Sequence, residues 1–172
     1  ATAWPMTPPS AYGSLHLLFL CFGLGISAAL AYRLRRCSAV CCRRILLGVG
    51  LFLIVCEAYK LLFYYFVIGH GSFQWWVFPF LAANLVRKEH TRSAIYTFLC
   101  AYNLLGGFLA LLEPSGLSHD YWTLTLHGFV WHTLLVFIGL FLILSGNGPK
   151  SLKDFGRATV LFLILCGMAF CI

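Results

Sequence analysis

The chain is a succession of apolar runs separated by short polar links, and the length of those runs limits its fold more than any other feature. Stretches from about Tyr12 to Tyr32, Ile45 to Ile68, Ser93 to Leu112 and Thr123 to Leu144 each hold roughly 20 residues. A helix of that length crosses about 30 Å of hydrocarbon at 1.5 Å per residue. A further run, Trp75 to Val86, has only about 12 residues, the length of a re-entrant stretch or half a helix. The last, Ala158 to Ile172, is apolar to its final residue and ends short of a full span. Only 10% of the residues are charged, against about 25% in soluble domains. The expected fold is an all-α, polytopic transmembrane helical bundle of about six spans, seven if a further helix exists, forming one domain over residues 1–172.

A net charge of +7 raises the question of nucleic acid, and placement answers it. Eleven of the twelve Lys and Arg residues fall in three clusters, around 33–44, 86–92 and 146–157, between apolar runs. The alternate links, around 69–74 and 113–122, hold none and carry His70, Glu113, His119 and Asp120. Such a split is the orientation signal of membrane proteins, whose basic loops stay in the cytoplasm. It places the N-terminus outside and requires the short run at 75–86 to be a real crossing. Nucleic-acid partners are not expected; membrane lipids are. No basic leader opens the chain, so a cleavable signal peptide is not expected. Cys37, Cys41 and Cys42 sit in a basic link and the other cysteines in apolar runs, so no structural disulfide is expected. Cys37 to Cys42 could carry a reversible acyl group; unmodified thiols are the plainer expectation.

Polar residues recur inside the runs at helical spacing. Tyr12, His16, Gly23 and Ser27 form one stripe, and Gly50, Glu57, Lys60 and Tyr64 a second. Tyr96, Cys100, Asn103, Gly107 and Ala110 form a third, and Thr125, Gly128, His132 and Gly139 a fourth. Helix packing accounts for small and polar stripes taken singly. Ionisable groups near mid-run cost at least about 2.5–3.5 kcal/mol each to insert, which points to function. Glu57 and Lys60, at i and i+3, can pair. His16 and His127 are expected about 6 Å deep and His132 about 13 Å deep. His127 and His132 differ by about 140° around their helix, and only His132 shares the polar stripe. These groups are expected to line one cavity open to the outer half. The candidate catalytic residues are His132, His127, Glu57 and Asn103; candidate substrate contacts are His16, Lys60, Tyr102 and Thr125. No metal-binding spacing is present, so neither metal nor other cofactor is expected.

The stretch "YTFLCAYNLLGGFLALLEPSGLSHDYWTLTLHGFVWHTLLVFIGL", with "YGSLHLL", "CEAYKLLFYYF" and "FQWWVFPF" before it, resembles the YwaF-type integral membrane family over roughly residues 12–145. The resemblance implies a bundle of six or seven spans. It also implies distant similarity to membrane acyltransferases and fatty-acid-ester hydrolases that pair a Cys or Thr nucleophile with a histidine, matched best here by His132. The family usually continues its Phe-Pro-Phe element through a polar residue, Leu and Cys, whereas here Phe80 is followed by Leu81 and the cysteine is absent. The expectation is that a piece is missing between Phe80 and Leu81, either because they are not covalent neighbours or by natural deletion. Three functions remain open: acyl transfer or ester hydrolysis on a lipid with His132 as general base and Cys56, Cys100, Thr125 or Ser14 as nucleophile; proton-coupled transport of a small solute; and a non-catalytic scaffold.

Overall fold

The computed structural model describes residues 4–69 and 77–170. Helix α1 covers Ser14–Leu34. Helix α2 covers Ala39–Phe63 and continues as a π-helical turn over Tyr64–Ile68. A short α3, Phe78–Leu85, leads to α4, Glu89–Phe98. Helix α4 passes through a π-helical turn, Leu99–Asn103, into α5, Leu104–Leu112. Helix α6 is Trp122–Leu144 and α7 is Leu152–Phe170. The chain is thus an all-α bundle, and among the described residues four helical stretches are long and apolar enough to cross a membrane: Ser14–Leu34, Ala39–Ile68, Glu89–Leu112 and Trp122–Leu144.

Local chemistry sets the helix ends. The Ser38 hydroxyl caps α2 by accepting from the Cys41 amide at 3.2 Å. Ser151 and Asp154 bond reciprocally at the start of α7, and Ser93 of α4 also donates to Asp154, at 3.0 Å. Gly146, at φ +73°, closes α6 in the left-handed conformation that glycine adopts without a Cβ clash. The helices reach further into the basic clusters than the sequence boundaries suggested, with α2 starting at Ala39 and α7 at Leu152. Arg43, Arg44 and Arg92 therefore sit on helices, where long stems reach from an apolar surface to water.

The buried faces are the polar and small stripes. On α1 they are His16, Gly23, Ser27 and Ala31; on α2 they include Gly50, Glu57 and Lys60. Helices α1 and α6 run the same way: Phe19 stacks on Phe129 at 4.6 Å, and further along the Ser27 hydroxyl donates to the Thr133 carbonyl at 3.1 Å. Helix α5 lies antiparallel on α6. A Cβ on Gly107 would come within 2.9 Å of the His132 carbonyl oxygen, and one on Gly139 within 2.5 Å of the Leu104 Cβ. The outward faces are Leu, Phe, Ile and Val, including Phe22, Phe66 and Leu163.

The segment at 75–86 departs from expectation. Residues 75 and 76 lie outside the described residues, as do His70 and Cys171. Helix α3 runs unbroken through Phe80 and Leu81, and the Asn84 amide donates to the Phe80 carbonyl at 3.2 Å. Eight residues suffice for α3 because it packs on α2 partway along, with Phe80 against Gly50.

The close approach at Gly107 gives a test. Gly107→Val is expected to force α5 off α6 and cost about 1–3 kcal/mol. Gly25→Ala, where nothing lies within 4 Å of an added Cβ, is expected to leave the melting midpoint unchanged. Equal midpoints for both variants in detergent would refute the tight seam.

Candidate functional site

The π-helical turn is where the bundle becomes chemically unusual. Such a turn inside a helix widens the register by one residue, and these insertions gather at functional sites. Here it buries Leu99, Cys100 and Asn103. Asn103 is 3% exposed, and its Nδ2 has no hydrogen-bond partner. Leaving an amide donor buried and unpaired costs roughly 1–3 kcal/mol.

Asn103 lines a cavity of about 220 Å³ together with Tyr102 and Gly106 from its own span, Trp131, His132 and Leu135 from α6, and Phe162 from α7. The His132 Nδ1–H donates to the Gly128 carbonyl, one turn back, at 2.8 Å. That bond fixes the tautomer, so the neutral ring keeps Nε2 as an acceptor. Among the described residues nothing bonds to Nε2. Tyr102 is held in place: it stacks on Phe162 at 4.6 Å, and its hydroxyl lies 2.7 Å from that of Thr159. The Thr159 proton is committed to the Phe155 carbonyl, so Tyr102 is the donor. Among the described residues, no Cys, Ser or Thr lines this cavity.

Glu57, Lys60 and His127 do not join this cavity. Lys60 Nζ pairs with Glu57 Oε1 at 2.8 Å, with Glu57 fully buried and Lys60 8% exposed. His127 packs on Trp131 at 5.5 Å and feels the charges of Lys60, His132 and His119. Its Nε2 is buried without a partner, as are the Tyr59 and Thr123 hydroxyls. The expected single cavity is therefore two neighbouring centres. One is His132 with Asn103, and the other is the Glu57–Lys60 pair with His127, with Trp131 between them.

Two candidates have their polar atoms occupied by the protein. His16 accepts from the Tyr12 amide through Nδ1 at 2.9 Å and donates from Nε2 to the Leu111 carbonyl at 2.8 Å. Fully buried, it clasps the start of α1 to the end of α5. Thr125 Oγ1 accepts from the His119 amide at 2.9 Å and donates to the His119 carbonyl at 3.2 Å, clamping the link before α6. Trp131, Gly106 and Phe162 were not legible as site residues. Trp131 falls off the polar stripe, and α7 carried no signal beyond its hydropathy. Among the described residues, no three His, Cys, Asp or Glu side chains gather to hold a metal, and the described cysteines are free thiols.

Comparison with protein-family models, curated proteins and solved structures finds no match to this chain.

His119, in the link between α5 and α6, offers a test by pH. Burial holds its pKa below the ordinary histidine value, Asp120 draws it up and Lys60 pushes it further down. The folded state thus disfavours its protonation, so this contribution to stability is complete above about pH 6.5. It is lost as pH falls from there through the lower folded pKa. A thermal midpoint that drops between about pH 7 and pH 5 is expected, with a shallower drop in His119→Gln. Identical pH profiles for the two proteins would reject this account of His119.

Proposed function

We propose that this is a multi-pass membrane protein that takes a molecule dissolved in the lipid phase into the His132–Asn103 cavity. The observation that carries this reading is the unpaired, buried Asn103 amide in the wall of a cavity that already holds a free His132 acceptor. Depth supports a lipid-side entrance. Asn103 and His132 each lie nine or ten residues from their nearer helix end, about 14–15 Å into the span. Gly106 lines the cavity and is exposed, and its neighbours on the same helix, Leu105 and Leu109, are exposed and apolar.

This reading keeps the lipid-directed role that the YwaF-type resemblance implies and sets covalent acyl transfer aside. A serine, threonine or cysteine nucleophile must lie within hydrogen-bond reach of its base. Among the described residues none lines the cavity, and the Cys100 thiol points to the Thr97 carbonyl at 3.5 Å. A second reading, proton-coupled transport, draws on one observation: the Glu57–Lys60 ion pair, 2.8 Å long and buried within a candidate span.

A variant keeping Trp131 as its only tryptophan separates the two. In bilayers, lipids brominated at mid-chain are expected to quench it and aqueous acrylamide is not. Quenching by acrylamide alone would show a water-open cavity and favour transport.

Orientation belongs to the same proposal. Cys42 beside Asn147, and Glu89 to Tyr96 beside Asn147 and Lys150, bring the basic links to one end of the bundle. We assign that end to the cytoplasm and the Glu113–Tyr121 link, bridged to Pro5, to the outside of the cell membrane. A membrane-impermeant thiol reagent added outside intact cells is expected to spare Cys37 and Cys41; efficient labelling there would reverse the assignment.

A further inference from the structure

We infer that the cavity selects an uncharged lipid with a protic head group, a free hydroxyl or an un-ionised carboxyl, over the same chain capped as an ether or ester. The inference rests on the lipid-entry reading above and names the ligand class for that site. Three observations carry it.

The first is the hydrogen-bond inventory. His132 Nε2 can only accept while the ring is neutral, because Nδ1 holds the proton donated to the Gly128 carbonyl. An occupant must therefore bring a donor. The Asn103 amide, with Nδ2 unpaired, needs an acceptor as well. A hydroxyl or carboxylic acid brings both. An ether or ester brings acceptors alone and leaves His132 unanswered. Loss of a hydrogen bond that a site is built to make discriminates far more strongly than loss of a methylene.

The second is charge. Among the described residues, Tyr, Asn, Gly, Trp, His, Leu and Phe line the cavity, with no Lys, Arg, Asp or Glu. The Lys60 ammonium is engaged with Glu57 at 2.8 Å, and neither residue lines this cavity. An ionised phosphate, carboxylate or ammonium would enter without a counter-charge at mid-bilayer depth, where such burial is costly. An uncharged head group avoids that cost.

The third is size and shape. About 220 Å³ is less than the 300–1,000 Å³ of a pocket that engulfs a drug-sized ligand. It holds a small head group and the first few methylenes. The remaining chain would lie outside, along the apolar surface of Leu105 and Leu109. The Tyr102 ring, fixed by Phe162 and Thr159, gives the head group a rigid wall.

The experiment is native mass spectrometry of the intact, detergent-solubilised protein with 1-hexadecanol, hexadecyl methyl ether, palmitic acid and methyl palmitate. One-to-one adducts with the alcohol and the acid are expected at concentrations at least about tenfold lower than with the ether and the ester, in line with a lost hydrogen bond. His132→Phe is expected to erase that preference; Asn103→Leu is expected to weaken all four adducts while keeping it, since every one of the four ligands brings an acceptor, and Gly25→Ala to change neither. The comparison among the four ligands is made on the unaltered protein, so it stands even if a variant fails to fold. Equal binding of alcohol and ether, and of acid and ester, would overturn the head-group selection and leave lipid entry intact. No adduct with any of the four would overturn lipid entry itself. Preference for the acid over the alcohol would identify the carboxyl as the recognised form, and the reverse the hydroxyl; either supports the inference.

Discussion

Everything in this bundle depends on how closely α5 and α6 approach. Lipid tails are as apolar as leucine, so helices in a bilayer gain little from hiding apolar side chains from one another. Association rests on close van der Waals contact and on hydrogen bonds between helices. Gly107 and Gly139 supply the contact, since an added Cβ at either would meet the facing helix at 2.9 Å or less. The same seam fixes the cavity, because His132 lies opposite Gly107 and Asn103 one turn before it. A bulkier residue at Gly107 would separate the two groups that define the site.

The histidines show how one residue type is put to different uses by what surrounds it. His16 spends both ring nitrogens on backbone atoms and is a clasp between α1 and α5. His132 spends one, on its own helix, and keeps the other. His127 packs on Trp131 with the rings tilted by 32°, and its Nε2 is buried without a partner. Imidazole in hydrocarbon is costly, and the cost is met in full only for His16. His132 and His127, in the two neighbouring centres, are left with incomplete hydrogen bonding.

Much of this was readable from the residues. Apolar run length picked out the four helical stretches that are long and apolar enough to cross a membrane. Helical spacing picked out faces that are buried: Gly23 with Ser27, Gly50 with Glu57, Asn103 with Gly107. The i, i+3 spacing anticipated the Glu57–Lys60 pair. What spacing could not separate was a polar group turned toward a ligand from one turned toward the backbone. His16 and Thr125 sit on the right faces, yet their partners are the Leu111 and His119 backbones, set by tertiary placement. The π-helical turn at Leu99–Asn103 leaves no mark in composition, and the role of Phe162 depends on where α7 docks. The expected missing piece after Phe80 rested on the shortness of the run, the charge alternation and the YwaF-type resemblance together; the short α3 packs beside α2, with Phe80 against Gly50.

The absence of a nucleophile beside His132 bears on what such a site can do. A histidine with one nitrogen committed and one free can accept a hydrogen bond or a proton from an occupant, but covalent catalysis also needs a hydroxyl or thiol within reach. The hydroxyls nearest in function, those of Tyr102 and Thr159, are chained donor to acceptor and end on the Phe155 carbonyl. That chain secures α7 against the π-helical turn. Its protons point away from His132, towards the α7 backbone. The polar groups around the cavity thus fall into two sets: one closed on itself that builds the wall, and one left open, His132 and Asn103, that only an occupant can complete. An all-apolar wall at this depth would cost less and hold the helices as well, so the open pair is better explained by an occupant than by packing.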